Sequence, residues 1–152
     1  MVHPMHGAGV IDSIVQRKVA GKLENYYLLK LSVGSMTVMI PTENTQEIGV
    51  RPVVSGQEAE SLLNAMEGIE VDMTQNWNRR YRENMVRLKS GDLLEVARVV
   101  KGLLIREDQR GLSNGERKML HTAKQILISE LVLAQSLPYK TVEENIDTVL
   151  SH

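Results

Sequence analysis

Among the side chains that could do more than fill a core, Trp77 stands out, because it is the single tryptophan of a chain that has no phenylalanine and four tyrosines. It sits in Thr74-Gln75-Asn76-Trp77-Asn78-Arg79-Arg80, at the start of a helix-forming stretch and among polar and cationic neighbours. Two readings are open. As a hydrophobic staple, the indole packs back on the first turn of its own helix or on a neighbouring helix, in keeping with the usual burial of tryptophan. As an exposed apolar wedge flanked by Arg79, Arg80 and Arg82, it unstacks a base step from the minor groove while the cations neutralise adjacent phosphates. Helical geometry divides these cations: Arg79 and Arg82 share one face, whereas Arg80 and Arg87 share another, so they cannot all meet one ligand. Arg117 and Lys118 form a second basic pair in the first turn of a later helix. They follow Asn114-Gly115, where free backbone N–H groups also favour an anion.

Other chemistry is hard to assemble from this chain. With no cysteine there is neither a disulfide nor a thiolate zinc site, and His3, His6, His121 and His152 lack the spacing and carboxylate neighbours of a metal-binding helix. A phosphate-binding glycine loop, a nucleophile elbow and a metal box are all missing, so the sequence points away from an enzyme and implies no cofactor or metal. No apolar run approaches the roughly 20 residues that span a bilayer, and the N-terminal MVHPMHGAGV has no signal-peptide pattern, so a soluble, cytoplasmic protein is expected. The net charge of −1 conceals a strong asymmetry: −5 over residues 56–78, +6 over 79–124 and −3 over 125–152. A basic block in an otherwise acidic chain is the electrostatic footprint of a surface that meets phosphate, although a solvated helix face has the same signature.

The elements that must position these residues fall into two groups. Up to about residue 54 the apolar period is near two, with short strands expected at Val10–Val15, Tyr26–Leu31, Thr37–Ile40 and Val50–Val54. Turns are expected at His6-Gly7-Ala8-Gly9, Ala20-Gly21-Lys22 and Val33-Gly34-Ser35. So short a meander must curl on itself to bury a face, which predicts a small SH3-like or Tudor-like β-barrel over residues 1–54. From Ser55 the period changes to that of helices. Three Ser/Thr-x-x-Glu boxes, at Ser55–Glu58, Ser113–Glu116 and Thr141–Glu144, mark helix starts. Two further helices are expected between them, Asn78 to Lys89 and Asp92 to about Arg110, each ended by a glycine. Gly102 inside the second of these predicts a bend or a close contact. The fold class is thus α+β, with an all-α five-helix domain over residues 55–152. In the first half, Arg17-Lys18-Val19 is a strand end beside a turn, available for pairing with a partner's strand.

Four blocks together resemble the CarD/CdnL family and, in the first half, the RNA polymerase-interaction domain of the transcription-repair coupling factor. They are His3-Pro4-Met5-His6-Gly7-Ala8-Gly9; Met36-Thr37-Val38-Met39-Ile40-Pro41 with Glu43-Asn44; Asn76-Trp77-Asn78-Arg79-Arg80-Tyr81-Arg82; and Arg110-Gly111-Leu112-Ser113 through Glu116-Arg117-Lys118-Met119-Leu120. The last two are the most specific, and the resemblance extends over essentially the whole chain. It implies a non-catalytic, nucleoid-associated transcription regulator that docks its barrel on the polymerase β subunit and lays its helices on the upstream edge of the melted promoter, one copy per complex. By the same resemblance Trp77 is the wedge, Arg79, Arg80, Arg82 and Arg117 are phosphate contacts, and the barrel uses Arg17, Lys18, Val19 and the Met39 position against polymerase. Sequence specificity on DNA is expected to be weak. Two departures stand out: only Met1 and Val2 precede His3-Pro4, where relatives carry more of a first strand, and Met39 replaces an arginine that some relatives use on polymerase. The alternative from another class is a protein–protein adaptor whose helical half binds a second protein through Trp77 and the arginines.

Overall fold

The computed structural model describes residues 1–34, 36–43, 45–71 and 76–150. Ser35, Asn44, the Thr74-Gln75 pair ahead of Trp77, and His152, all named above, lie outside the described residues.

Ala20 and Gly21 both adopt positive φ, 51° and 80°, the left-handed pair that a two-residue type I′ hairpin turn requires. That turn joins β2 (Gly7–Val19) to β3 (Lys22–Leu31), and with β1 (Val2–His3) and β4 (Thr37–Pro41) they form an antiparallel sheet in the order β1-β2-β3-β4. The β2–β3 register runs from Val19↔Lys22 to Gly9↔Leu31, with a bulge at Asp12 between Ile11 and Ser13. Side chains alternate across a strand, so Tyr27, Leu29 and Leu31 share one face with Val38 and Ile40 of β4; Leu29 and Ile40 are fully buried there.

Three expectations for this half are corrected. The sheet is open rather than a closed barrel, because among the described residues β4 has no ladder to β1. Helix α5 packs against β2, whereas Leu29 and Ile40 stand apart from the core shared by the helices. The last expected strand, Val50–Val54, shrinks to a single antiparallel bridge, Val2↔Arg51, since Pro52 has no N–H for a ladder and the N–H of Val54 is given to a glutamate of the helical half. The expected turn at residues 6–9 is strand from Gly7 onward, its glycines allowing close approach rather than reversal.

A four-residue helix, α1 (Thr45–Ile48), precedes the five helices α2 (Gly56–Met66), α3 (Trp77–Lys89), α4 (Leu93–Arg110), α5 (Asn114–Gln135) and α6 (Tyr139–Leu150). Ser55 and Ser113 cap α2 and α5 as their boxes predict, the latter with both halves of the box formed. The third box is not a cap. The first main-chain bond of α6 runs from the N–H of Val142 to the carbonyl of Pro138, so Thr141 is already inside the helix. Gly102 proves to be a point of close packing: a Cβ there would lie 3.1 Å from the Val71 side chain. The main core gathers Met66 of α2, Val96, Val100 and Leu103 of α4, Ala123, Leu127 and Leu131 of α5, and Ile146 of α6. Among the described residues no helix is long and apolar enough to cross a membrane.

Sheet and helices meet along α5. Ser129 Oγ accepts from the N–H of Ala8 at 2.8 Å and donates to the carbonyl of Ile126, while Ser32 Oγ donates to the carbonyl of Ser129 at 2.7 Å. One residue on, Glu130 accepts a two-pronged ion pair from Arg51 at 2.7 and 2.6 Å and a third bond from the N–H of Val54 at 2.9 Å.

Candidate nucleic-acid interface

Helix α3 begins at Trp77 because Asn76 accepts the N–H of Arg79 at 2.9 Å, satisfying one of the helix's orphan donors. This places the indole in the first turn, where its ring stacks on Tyr81 one turn further along, with centroids 5.1 Å apart and planes tilted by 18°. Trp77 is thus supported from its own helix, yet 42% of its surface remains exposed. Tyr81 in turn reaches α5: a Cβ on Gly115 would touch its ring at 3.7 Å.

Beneath this aromatic pair lies Glu116, only 3% exposed. Its carboxylate faces Arg106 at 3.2 Å and Arg80 at 3.7 Å and accepts from the N–H and the hydroxyl of Ser113. Burial pushes its pKa up, but bonds from the Ser113 N–H, the Trp77 side chain and the Ser113 hydroxyl, together with the charge of Arg106, outweigh burial and hold it below the usual carboxylate range. A depressed folded-state pKa contributes stability that is complete above the unfolded value and is lost as pH falls through the folded one. Glu116→Gln is therefore expected to cost about 2 kcal/mol near neutrality, to flatten the acid limb of the stability–pH curve, and to shift Trp77 emission to the red. Chemical denaturation from pH 3 to 7, read by the lone tryptophan, checks all three.

The cations sort as their spacing predicts. Arg79 and Arg82 are exposed on the outer face of α3, Arg79 in an exposed i,i+4 pair with Glu83 at 3.3 Å that adds little stability. Arg117 and Lys118, also exposed, stand beside Glu116 in the first turn of α5. Arg80 faces the other way: it is buried against Glu116. Arg87 is half-buried and engages Glu95 of α4 at 3.3 Å. Trp77, Arg79, Arg82 and Arg117 are thus each accessible, but Arg79 and Arg82, two and five positions after Trp77, lie on the side of α3 away from the indole, and Arg80 turns inward.

In the sheet, Arg17, Val19 and Met39 lie on one face and Lys18 on the other. Arg17 pairs with Glu24 and Met39 with Leu28, so these two side chains are four rungs, about 13 Å, apart along β3 and form no single cluster. β1 covers β2 only at Gly7 and Ala8, so beyond Gly9 the outer edge of β2 has no strand partner among the described residues. Val10, Ile14, Val19 and Leu23 of this hairpin are exposed.

The sequence marks Glu116 only as a capping-box residue and Arg51 only as part of an expected strand, and gives Glu130 no role. A signal existed for Glu130: it is the only charge in the apolar run from Ile126 to Leu133.

The model for the CarD-like/TRCF RID domain matches residues 1–54, and that for the CarD C-terminal domain matches residues 61–147. A Bacillus subtilis strain 168 protein named "Putative transcription factor YdeB" is 33% identical over 143 residues, which span 94% of each chain.

Proposed function

This chain belongs to the CarD family of transcription regulators, and from that premise we propose that it is a non-catalytic, cytoplasmic and nucleoid-associated factor that bridges RNA polymerase and promoter DNA. Residues 1–54 hold the polymerase β subunit, and residues 55–152 contact the upstream edge of the melted promoter and slow its closure. The observation that carries this reading is the presentation of Trp77: a large apolar ring half in solvent, braced by Tyr81 and Glu116, with Arg79 and Arg82 exposed elsewhere on the same helix and Arg117 exposed on α5. An indole held in this way can enter a minor groove, and the exposed cations can meet phosphates, without reading bases. Arg80, by contrast, reaches a phosphate only by leaving Glu116, so in this proposal it mainly braces the platform. On the sheet, the open edge of β2 offers main-chain groups to a strand of the β subunit, with Arg17, Lys18 and Val19 at its end and Met39 on β4 giving secondary contacts. Anchoring through polymerase raises the local concentration of the basic patch, so a few weak DNA contacts from a single copy suffice.

The test is Arg79→Ala/Arg82→Ala. The double variant is expected to bind polymerase as the parent does while its promoter effect falls, and the slope of that effect against the logarithm of salt concentration decreases by up to about 2. An effect that persists unchanged, with no dependence on salt, assigns the helical half to a protein partner instead.

A further inference from the structure

The proposed function needs two surfaces that act at a distance, the sheet edge and the Trp77 platform, and both are tied to α5. Glu116 of the platform and Glu130 of the sheet junction are 14 residues apart on this one helix, about 21 Å along its axis. Glu130 is completely buried, at 0% exposure, which makes its charge expensive unless it is fully partnered. Its partners come from one place, the connection between sheet and helices: both terminal nitrogens of Arg51 and the N–H of Val54. Arg51 is committed on every side. Its main chain exchanges two bonds with Val2 of β1, at 2.7 and 3.2 Å, and its Nε donates to the carbonyl of Gly91 between α3 and α4 at 2.9 Å. One residue therefore joins the first strand, the α3–α4 turn and the middle of α5.

We infer that the Arg51–Glu130 pair is a positioning lock that fixes the sheet relative to α5, so that docking on polymerase sets where Trp77 meets the promoter. Neither residue touches polymerase or DNA in the proposed function, on which the inference rests; they act through geometry. A bidentate guanidinium–carboxylate pair constrains direction as well as distance, which a lysine or a pair of apolar side chains does not.

Two variants separate direction from stability. Arg51→Lys keeps the charge but loses the fork; Arg51→Leu/Glu130→Met removes both ions without leaving a buried charge unpaired, which protects folding. Because the chain has no cysteine, Lys30→Cys and Lys89→Cys give two unique spin-label sites, one on β3 and one at the end of α3. The expected result is a narrow label-to-label distance distribution in the parent, a broadened one in both lock variants, unchanged polymerase binding and unchanged Trp77 emission. The lengthening of open-complex lifetime is then lost in both. A distance distribution that stays narrow in the lock variants overturns the inference, as does a broadened one that leaves the lifetime at the parent value. If the parent itself fails to lengthen the lifetime, the proposed function falls, and the distance distributions alone decide the lock.

Discussion

Gly7→Ala is expected to destabilise the protein by about 3 kcal/mol and to lower its melting temperature by about 10 °C. Two costs combine. The residue has φ of +92°, a conformation that a Cβ penalises by itself, and the added carbon would lie 2.4 Å from Ser129 Oγ. The hydroxyl cannot swing aside without loss, because it accepts from Ala8 and donates to Ile126 at 2.8 Å each. The strain therefore falls on the contact between β2 and α5. Thermal unfolding followed by circular dichroism measures it, and Gly21→Ala is the control: it also has positive φ, 80°, but nothing lies within 4 Å, so backbone strain acts alone and the loss is smaller.

Gln16→Pro is expected to weaken binding to the isolated polymerase β subunit by about tenfold or more while the hairpin stays folded. In a two-residue hairpin the residues flanking the turn, Val19 and Lys22, bond to each other, so inward and outward main-chain groups alternate back along β2. Lys18, Gln16 and Ile14 then present their N–H groups to the open edge. Proline at position 16 removes one outward donor and obstructs an incoming strand, yet takes no bond from the β2–β3 ladder. Titration of the β subunit with parent and variant, alongside far-ultraviolet circular dichroism of both, checks this. Equal affinities remove the edge from the docking surface.

Much of this architecture is legible in the sequence because it rests on local chemistry. Ser55 and Ser113 start helices where their boxes predict, and the Ala20-Gly21 turn closes its hairpin, since caps and turns are decided within a few residues. The failures are of the opposite kind. Whether the last strand forms depends on a distant partner: the 50–54 segment meets β1 only at Val2↔Arg51, and the side chain of Arg51 and the N–H of Val54 are engaged by Glu130, 79 positions after Arg51. Thr141 and Glu144 make the same pattern as Ser113 and Glu116, but Pro138 supplies the first carbonyl of α6 and the box is carried inside the helix. At the site, the division between Arg79 with Arg82 and Arg80 with Arg87 follows from helical spacing alone. What spacing cannot give is the sign of the environment: Arg80 turns inward because Glu116, 36 positions later, waits there. Trp77 is stacked on its own helix through Tyr81, as the staple reading expects, and its remaining exposure leaves the wedge reading to experiment.

The most direct test is the lifetime of open complexes formed by bacterial polymerase holoenzyme on a ribosomal-type promoter, without the protein, with it, and with Trp77→Ala. In the proposed function the indole is the wedge, so the parent is expected to lengthen the lifetime and Trp77→Ala to return it to the value without protein, while both bind polymerase equally. A variant that binds polymerase and lengthens the lifetime as fully as the parent would contradict the wedge and leave the helical half without the role assigned to it.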